Sequence, residues 1–191
     1  MSALTSRPQW TVEEFFAWQE TQEERYELVD GFPQPHRMMT GALNGHDDVV
    51  VNIIISLGTK LRGSGCRPFT ADGSIQTLPD RIRRPDVGVD CGPRDPNDRK
   101  AAKPVVVFEV FSPSTRTIDL LTKLDEYQGV TSLRHLVFME PNRAEAIHWQ
   151  KGTDGGWRNE VLKGLDAVLD LDGIGVSLAL SECYEGVVLE T

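Results

Sequence analysis

The sequence predicts an α/β domain in which helices flank a mixed β-sheet. Helical and strand patterns follow one another in the order helix, strand, helix, strands, helix, strands, which is typical of this class. The segment VVVFEVF (105–111) is apolar on both faces, as expected of a central strand covered by helices. A chain of 191 residues with 39% hydrophobic content can bury one sizeable core, so we expect residues 1–191 to form a single domain.

The first part of the chain predicts a helix, a strand and a longer helix. Thr11 and Glu14 form the pattern of a capping box before an apolar run, which marks a helix start. RYELVDG (25–31) predicts a short strand ending in an Asp-Gly turn, and the two prolines that follow are expected to prevent a regular element. Apolar residues recur at helical spacing over 42–61, which predicts a long amphipathic helix.

The second part predicts strands interrupted by one helix. Segments 66–78 and 83–90 are rich in strand signals, with an Asp-Gly turn inside the first. The pattern over 117–129 predicts a helix closed by Gly129, the residue type that commonly follows a helix end. Three further strands and a last short helix capped by Ser181 are expected in LRHLVFME, AEAIHWQK, WRNEVLK and SECYEGVVLE.

Composition excludes several classes of protein. The 29 acidic and 20 basic residues give a net charge of −9, which argues against a protein that coats nucleic acid nonspecifically but not against a nuclease with carboxylates in its active site. The N-terminus lacks the apolar run of a signal peptide, and no stretch approaches a membrane span. The three cysteines include no close pair, so we expect reduced, buried thiols in a cytoplasmic protein.

Positive charge is concentrated in one segment of this acidic chain. It lies at Arg81, Arg83, Arg84, Arg94, Arg99, Lys100 and Lys103. Two interpretations remain open: a solvated loop balanced by neighbouring aspartates, or a surface that contacts phosphate.

Glu109 interrupts the apolar central strand. An isolated ionised carboxylate in such an environment is costly, so it takes up a proton, a partner or a metal ion. Asp86 follows a proline at the start of a neighbouring predicted strand, so the two carboxylates could converge on a divalent cation. Mg²⁺ favours one or two carboxylates together with waters and substrate phosphate oxygens. A nearby lysine would complete the site by positioning water or neutralising charge in the transition state.

A set of motifs occurs in order along nearly the whole chain. It comprises YELVDG, His46, Pro85-Asp86, EVFSPST, the spacing Asp119, Lys123 and Tyr127, Gly129-Val130, and SECYEG. Together these motifs resemble the Uma2 family, also called DUF820, of restriction-endonuclease-like proteins within the PD-(D/E)xK nuclease superfamily. The resemblance implies a restriction-endonuclease-like mixed sheet and hydrolysis of a nucleic-acid phosphodiester, in DNA above all, with Mg²⁺ or Mn²⁺.

One position departs from the superfamily motif. Phe111 stands where a lysine is expected, and phenylalanine can neither donate to phosphate nor orient water. Lys123 is the replacement candidate, because at about 100° per residue it lies on one helix stripe with Asp119 and Tyr127, at the edge of the apolar arc. This placement resembles the relocated lysine of the Uma2 family. The alternative is an ordinary surface pair between Asp119 and Lys123.

The resemblance assigns a role to each candidate. Asp86 and Glu109, aided by the backbone carbonyl of Val110, would hold the metal ion, and Lys123 would orient the attacking water. The alternative for Glu109 is a structural carboxylate paired with an arginine such as Arg84.

Further residues are candidates for supporting roles. Glu27 could turn inward as an additional carboxylate or remain an exposed strand residue, and His46 shares a helix face with apolar residues, where a core histidine is the common outcome. Asp119 is a further supporting candidate. Arg83 and Arg84, next to the Pro-Asp motif, are candidates for phosphate contact.

A second class of function stays open. The fold could serve as a catalytically silent binding or assembly module, since the motif lysine is missing and the net charge is negative. A homodimer is expected of a nuclease that must meet two strands. The remaining histidines have no identifiable partner and are interpreted as structural: His36, His135 and His148.

Overall fold

The fold is the predicted α/β class, with a large mixed sheet flanked by helices. The structure is a computed structural model that describes residues 9–36, 44–112 and 118–190, and within 118–120 only the backbone. None of the helices in these ranges is long and apolar enough to cross a membrane.

Four α-helices and one 3₁₀ helix are present in the described ranges. They are α1 (Val12–Gln19), α2 (Asn44–Lys60), α3 (Ile118–Gly129), the 3₁₀ helix (Asp172–Ile174) and α4 (Leu180–Cys183). The strands are β1 (Tyr26–Val29), β2 (Phe32–Pro35), β3 (Arg67–Thr70), β4 (Ile75–Leu78), β5 (Arg81–Arg83), β6 (Val87–Asp90), β7 (Pro104–Val110), β8 (His135–Met139), β9 (Glu145–Lys151), β10 (Trp157–Lys163), β11 (Val168–Leu171) and β12 (Val176–Ala179).

The strands form three sheets. The largest has six strands in the order β10-β9-β8-β7-β6-β3, in which β7 and β8 are parallel and the other neighbours are antiparallel. A four-stranded sheet has the order β2-β1-β5-β4, and β11 pairs with β12 in a separate hairpin. As predicted, β7 is a central strand, and all seven of its residues are buried.

Helices cover both faces of the large sheet. On one face, Ile53 and Leu57 of α2 pack in the same core as Phe108. On the other, Tyr127 of α3 packs with Val107. Because side chains alternate along a strand, Glu109 points to the same face as Val107, towards α3.

Several local predictions are confirmed and a few are wrong. The capping box of α1 is present, and β1 ends in a turn whose two residues both have positive φ, Asp30 at 52° and Gly31 at 74°. The prolines after this turn do not prevent a strand: β2 forms at the edge of its sheet, where a missing N–H removes no required ladder bond.

Two predictions on helix ends also need correction. Gly129 is the last residue of α3 instead of lying beyond it, and Ser181 lies inside α4. The cap residue of α4 is Ala179, whose N–H donates to the carboxylate of Glu182 at 3.1 Å. The hairpin of β11 and β12 was not predicted at all.

The expectation of three reduced cysteines is wrong for two of them. Cys66 and Cys91 form a disulfide, whereas Cys183 is a buried free thiol. Arg67 lies opposite Asp90 in the antiparallel pair of β3 and β6, so the two cysteines occupy the next facing positions. A separation of 25 residues hides this pairing in the sequence, because it becomes close only when the two strands align.

Candidate functional site

The antiparallel pair of β6 and β7 brings the two candidate metal ligands to one end of the large sheet. Val87, the first residue of β6, lies opposite Phe108 of β7. Because the strands are antiparallel, Asp86, just before β6, faces Glu109. The N–H of Val110 donates to Oδ2 of Asp86 at 2.7 Å, which fixes the aspartate against the end of β7. The Pro-Asp motif and the strand carboxylate, distant in sequence, therefore lie at one place.

Two side chains of α3 hold the carboxylate of Glu109. Nζ of Lys123 donates to both carboxylate oxygens, at 3.1 and 3.2 Å, and the hydroxyl of Tyr127 donates to Oε1 at 2.8 Å. Glu109 is 8% exposed and Tyr127 is fully buried. Lys123 thus reaches the strand from the edge of the buried helix face, and the partner of Glu109 is this lysine and not Arg84.

The charges around Glu109 do not balance. The pKa of Glu109 is raised to about 7: burial raises it most, Lys123 acts to lower it, and the negative charges of Asp86 and Glu27 raise it as well. For Lys123, burial acts to lower the pKa, but the surrounding carboxylates outweigh it and raise the pKa above its usual range. The amine of Lys123 is therefore a fixed positive charge. The carboxylate of Glu109, in contrast, is not fully compensated by the positive charge around it.

His46 lies beside Asp86. Its Nε2 is 3.5 Å from Oδ2 of the aspartate, at the N-terminal end of α2. Burial acts to lower the pKa of His46, but the hydrogen bond and charge of Asp86 outweigh it and raise the pKa. Burial would raise the pKa of Asp86, yet the hydrogen bond from His46 leads the interactions that lower it. The histidine therefore contacts the site.

Glu27 turns inward from β1 and is buried. Nη1 of Arg83 donates to its Oε2 at 2.8 Å, and the main-chain N–H of Arg84 donates to its Oε1 at 2.9 Å. The alternative of an exposed strand residue is therefore wrong. Both carboxylate oxygens are engaged by the segment that leads into the Pro-Asp motif, so Glu27 holds that segment in place.

The guanidinium groups of Arg83 and Arg84 contact protein oxygens. Arg83 also forms a two-pronged pair with Glu126, from Nε and Nη2, both at 2.7 Å. Arg84 donates from Nε to the carbonyl of Tyr26 at 3.0 Å and from Nη1 to the carbonyl of Asp72 at 2.7 Å. Contact of the two arginines with phosphate stays a prediction.

Asp119 cannot be assigned in the same way. Its backbone belongs to α3, but its side chain lies outside the described part of the chain. Its pairing with Lys123 stays a prediction, whereas Lys123 contacts Glu109.

Glu126 and His36 lie near the site without having been predicted there, and Tyr127 was predicted only to share the helix stripe of Lys123. Glu126 and Tyr127 follow Lys123 at spacings of three and four, which places all three on one helix face, and this spacing could have identified Glu126. His36 follows β2 and its Nε2 lies 3.2 Å from the carbonyl of Arg84. Burial lowers the pKa of His36, with a further lowering by Lys123. No local signal marks His36, because its partner is 48 residues away.

A groove of about 530 Å³ lies apart from these carboxylates, along β3 and the loop that follows β6. Part of the basic segment lines it, including Arg94 and Lys100, but so do acidic residues, and Arg99 pairs there with Glu20. Neither Asp86 nor Glu109 lines the groove. Its balanced charge favours the solvated interpretation of the basic segment.

The comparisons with known proteins agree with the motifs. The model of the Uma2 family, described as "Putative restriction endonuclease", matches residues 12–181. Among solved structures, that of "a putative nuclease belonging to DUF820" from Anabaena variabilis covers 91% of this chain and 97% of its own, with a TM-score of 0.68 and 16% sequence identity. At this identity the likeness shows the fold. No curated protein matches the chain. The chain belongs to the Uma2 family.

Proposed function

We propose that this protein is an endonuclease that hydrolyses phosphodiester bonds of nucleic acid, with DNA as substrate and Mg²⁺ or Mn²⁺ as cofactor. The observation that carries the proposal is the meeting of Asp86 and Glu109 at the adjacent ends of β6 and β7, beside the amine of Lys123. Family membership supports the nuclease class.

The donor chemistry fits a hard divalent cation. Asp86, Glu109 and the main-chain carbonyl of Val110 would hold it, and oxygen atoms are the ligands that Mg²⁺ and Mn²⁺ prefer. Within the described ranges, no three His, Cys, Asp or Glu side chains are grouped to hold a metal ion. Two carboxylates are enough for Mg²⁺ when waters and phosphate supply the remaining ligands. When bound, such an ion would stabilise the charge on the phosphodiester and acidify a water molecule.

The protein's own side chains would supply orientation and charge. The amine of Lys123 carries a fixed positive charge against Glu109, from which it would orient the attacking water and offset charge on the scissile phosphate. His46 and the N–H of Val110 would hold Asp86, as Tyr127 would hold Glu109. Lys123 would thereby take the role of the lysine that Phe111 replaces.

The remaining parts of the proposal concern setting and assembly. We propose that residues 1–191 act as one domain in the cytoplasm, where the disulfide of Cys66 and Cys91 would have to persist against reducing conditions. We also propose that two copies associate to cut both strands of DNA. Light scattering on the purified protein tests the association directly, with a mass of twice 21.3 kDa as the expected result and a monomer as the contrary one.

Calorimetric titration with Mn²⁺ tests the site. Wild-type protein should bind the ion saturably. Asp86→Asn and Glu109→Gln should each bind it at least about tenfold more weakly, because each replaces a charged carboxylate ligand by a neutral amide of nearly the same shape. The matched controls are Asp166→Asn and Glu13→Gln, which remove the same charges at exposed positions. A second titration with a short DNA duplex present allows phosphate to complete the coordination. Equal binding by all variants, or no binding under either condition, would contradict the metal site.

Cleavage is measured in a separate assay, as nicking of a supercoiled plasmid in the presence of Mn²⁺. Nicking should depend on Asp86, Glu109 and Lys123, and Lys123→Met should abolish it while the exposed-site controls retain it. Nicking that persists equally in all three site variants would show that the activity resides elsewhere.

The second candidate, a silent binding or assembly module, is favoured by one specific observation. Lys123 already engages both carboxylate oxygens of Glu109, so the buried charge has a partner in the protein itself. In that case Lys123 would be purely structural. Wild-type protein would then bind no Mn²⁺, and Lys123→Met would lower the unfolding free energy without any effect on a reaction.

A further inference from the structure

We propose that Glu126 is a positioning residue of this site, which sets the rotation of α3 so that Lys123 meets Glu109 and which also fixes Glu27 through Arg83. Its effect on catalysis rests on the proposed nuclease function, whereas its effect on the placement of Lys123 does not. Nothing in the resemblance or the comparisons assigns a role to Glu126.

The carboxylate of Glu126 is buried, and both of its oxygens accept hydrogen bonds. It accepts from Nε and Nη2 of Arg83, both at 2.7 Å, from Nη1 of Arg81 at 2.5 Å and from Oγ1 of Thr77 at 3.2 Å. These donors lie on β4 and β5 of the four-stranded sheet. Glu126 therefore ties α3 to a different sheet from the one that carries Glu109.

Helix geometry converts this attachment into a constraint on Lys123. Lys123, Glu126 and Tyr127 are spaced i, i+3 and i+4, so they lie on one face and move together when the helix rotates. Lys123 and Tyr127 both contact Glu109 on β7, while Glu126 contacts β4 and β5. Attachment to two sheets leaves the helix little freedom to rotate or slide, and this holds the amine at the carboxylate.

Arg83 carries the same constraint to β1. Its Nη1 donates to Oε2 of Glu27 while its other two nitrogens face Glu126. Glu27 in turn accepts from the N–H of Arg84, two residues before Asp86. One guanidinium thus joins α3 to the segment that leads into the Pro-Asp motif.

The buried ion pair of Arg83 and Glu126 is better explained by a need for fixed geometry than by a gain in stability. Burying such a pair is expensive, and well-packed apolar residues of similar volume often stabilise a protein as much or more. A two-pronged arginine–carboxylate pair, however, fixes both distance and direction. The hydrogen-bond partners of Glu126 are Thr77, Arg81 and Arg83, and neither Asp86 nor Glu109 is among them, so its role is to position and not to react.

Glu126→Gln tests this inference in the full-length, metal-free protein. Glutamine keeps the shape but removes the charge and presents an NH₂ group to Arg83. The readout is acetylation of Lys123 measured by mass spectrometry, relative to Lys60, which pairs with Glu182 on the other side of the molecule at 3.1 Å. We expect Lys123 to react about tenfold faster relative to Lys60, the factor for losing a hydrogen bond between charged groups.

The matched control is Asp125→Asn, which removes one negative charge from the exposed face of the same helical turn. It should leave the ratio unchanged, and Glu126→Asp should restore part of the protection because the charge is retained. If Glu126→Gln does not unfold cooperatively, Arg83→Lys, which keeps the charge and loses the two-pronged pair, takes its place with the same expected ratio.

Two outcomes would overturn the inference. One is an unchanged ratio in a folded Glu126→Gln or Arg83→Lys protein. The other is an equal rise at Lys60 and Lys123, which would reveal general destabilisation. Because acetylation needs no metal ion or substrate, failure of this test is distinguishable from failure of Mn²⁺ binding.

Discussion

Acid should destabilise the protein through a buried pair of histidines on the large sheet. Nδ1 of His135 lies 3.0 Å from Nε2 of His148, and both imidazoles are inaccessible to solvent. The N–H of Gly173 donates to Nε2 of His135 at 3.1 Å, and Nδ1 of His148 lies 3.3 Å from a carboxylate oxygen of Glu160. With neutral rings, Nδ1 of His135 donates to Nε2 of His148, and Nδ1 of His148 donates to Glu160. Nε2 of His135 then accepts from Gly173, although it also lies 3.0 Å from a carboxylate oxygen of Asp172, which favours a proton there. The sequence offered no identifiable partner for these two histidines, and in the structure they contact each other.

The sign and size follow from the pKa of His135. Burial and the neighbouring His148 lower it to about 4, although Asp172 and Asp170 act to raise it. In the unfolded chain an imidazole has a pKa of about 6.5, so between these values the unfolded chain binds more protons. The stabilisation is present above about pH 6.5 and is lost as the pH falls towards 4. At about 1.36 kcal/mol per pKa unit, the loss approaches roughly 3 kcal/mol.

Urea unfolding followed by tryptophan fluorescence between pH 7.5 and 4.5 measures this loss. Glu109 acts with the opposite sign, because its raised pKa makes the folded state bind more protons over part of the same range. The comparison must therefore be made between wild type and His135→Gln, which shares every other titrating group. The difference in unfolding free energy should shrink as the pH falls. A difference that stays constant across the range would refute the assignment of His135 as neutral.

Three further perturbations have expected outcomes by the same unfolding measurement. Tyr127→Phe removes the hydroxyl that donates to Glu109 and should cost about 1.5–3 kcal/mol, and a neutral result would show that this hydrogen bond contributes nothing. Reduction of the disulfide should lower stability by about 2–4 kcal/mol in wild type and have no effect on Cys66→Ser; an equal effect on both would place the reductant's action elsewhere. Gly88→Ala would bring Cβ within 2.1 Å of the ring of Phe69 and should cost about 1–3 kcal/mol, whereas Gly129→Ala, with open space around it, should be tolerated; equal costs would contradict the packing.

The sequence predicted best what is encoded by short-range patterns. The central strand could be identified because its seven consecutive buried residues are apolar except for Glu109, which is conspicuous for that reason. The position of Lys123 followed from helical phase alone, since an α-helix fixes which residues share a face. The resemblance to the Uma2 family rested on such short motifs in order, and the family is confirmed.

The features that escaped prediction depend on which strands become neighbours. The disulfide requires β3 to align with β6, and the pair of Arg83 and Glu126 spans 43 residues between a strand and a helix. Likewise His135 and His148 meet only after β8 and β9 pair. Each of these residues, taken alone, has an ordinary local explanation. Contacts between such distant residues can therefore be predicted only when it is known which strands and helices are neighbours.

The buried carboxylates of Glu126 and Glu109 differ in how far their negative charge is compensated, which separates a structural role from a candidate catalytic one. Burial would raise the pKa of Glu126, but hydrogen bonds from Arg83 lead the interactions that lower it below its usual value. At Glu109 the balance is reversed, because burial and the charges of Asp86 and Glu27 exceed what Lys123 offsets. An additional cation would therefore gain little at Glu126, where arginines already compensate the charge, and would gain most at Glu109. The charge of Glu126 is already compensated by arginines, whereas that of Glu109 is not fully compensated by Lys123, and this difference favours the proposed cation site at Glu109 and Asp86.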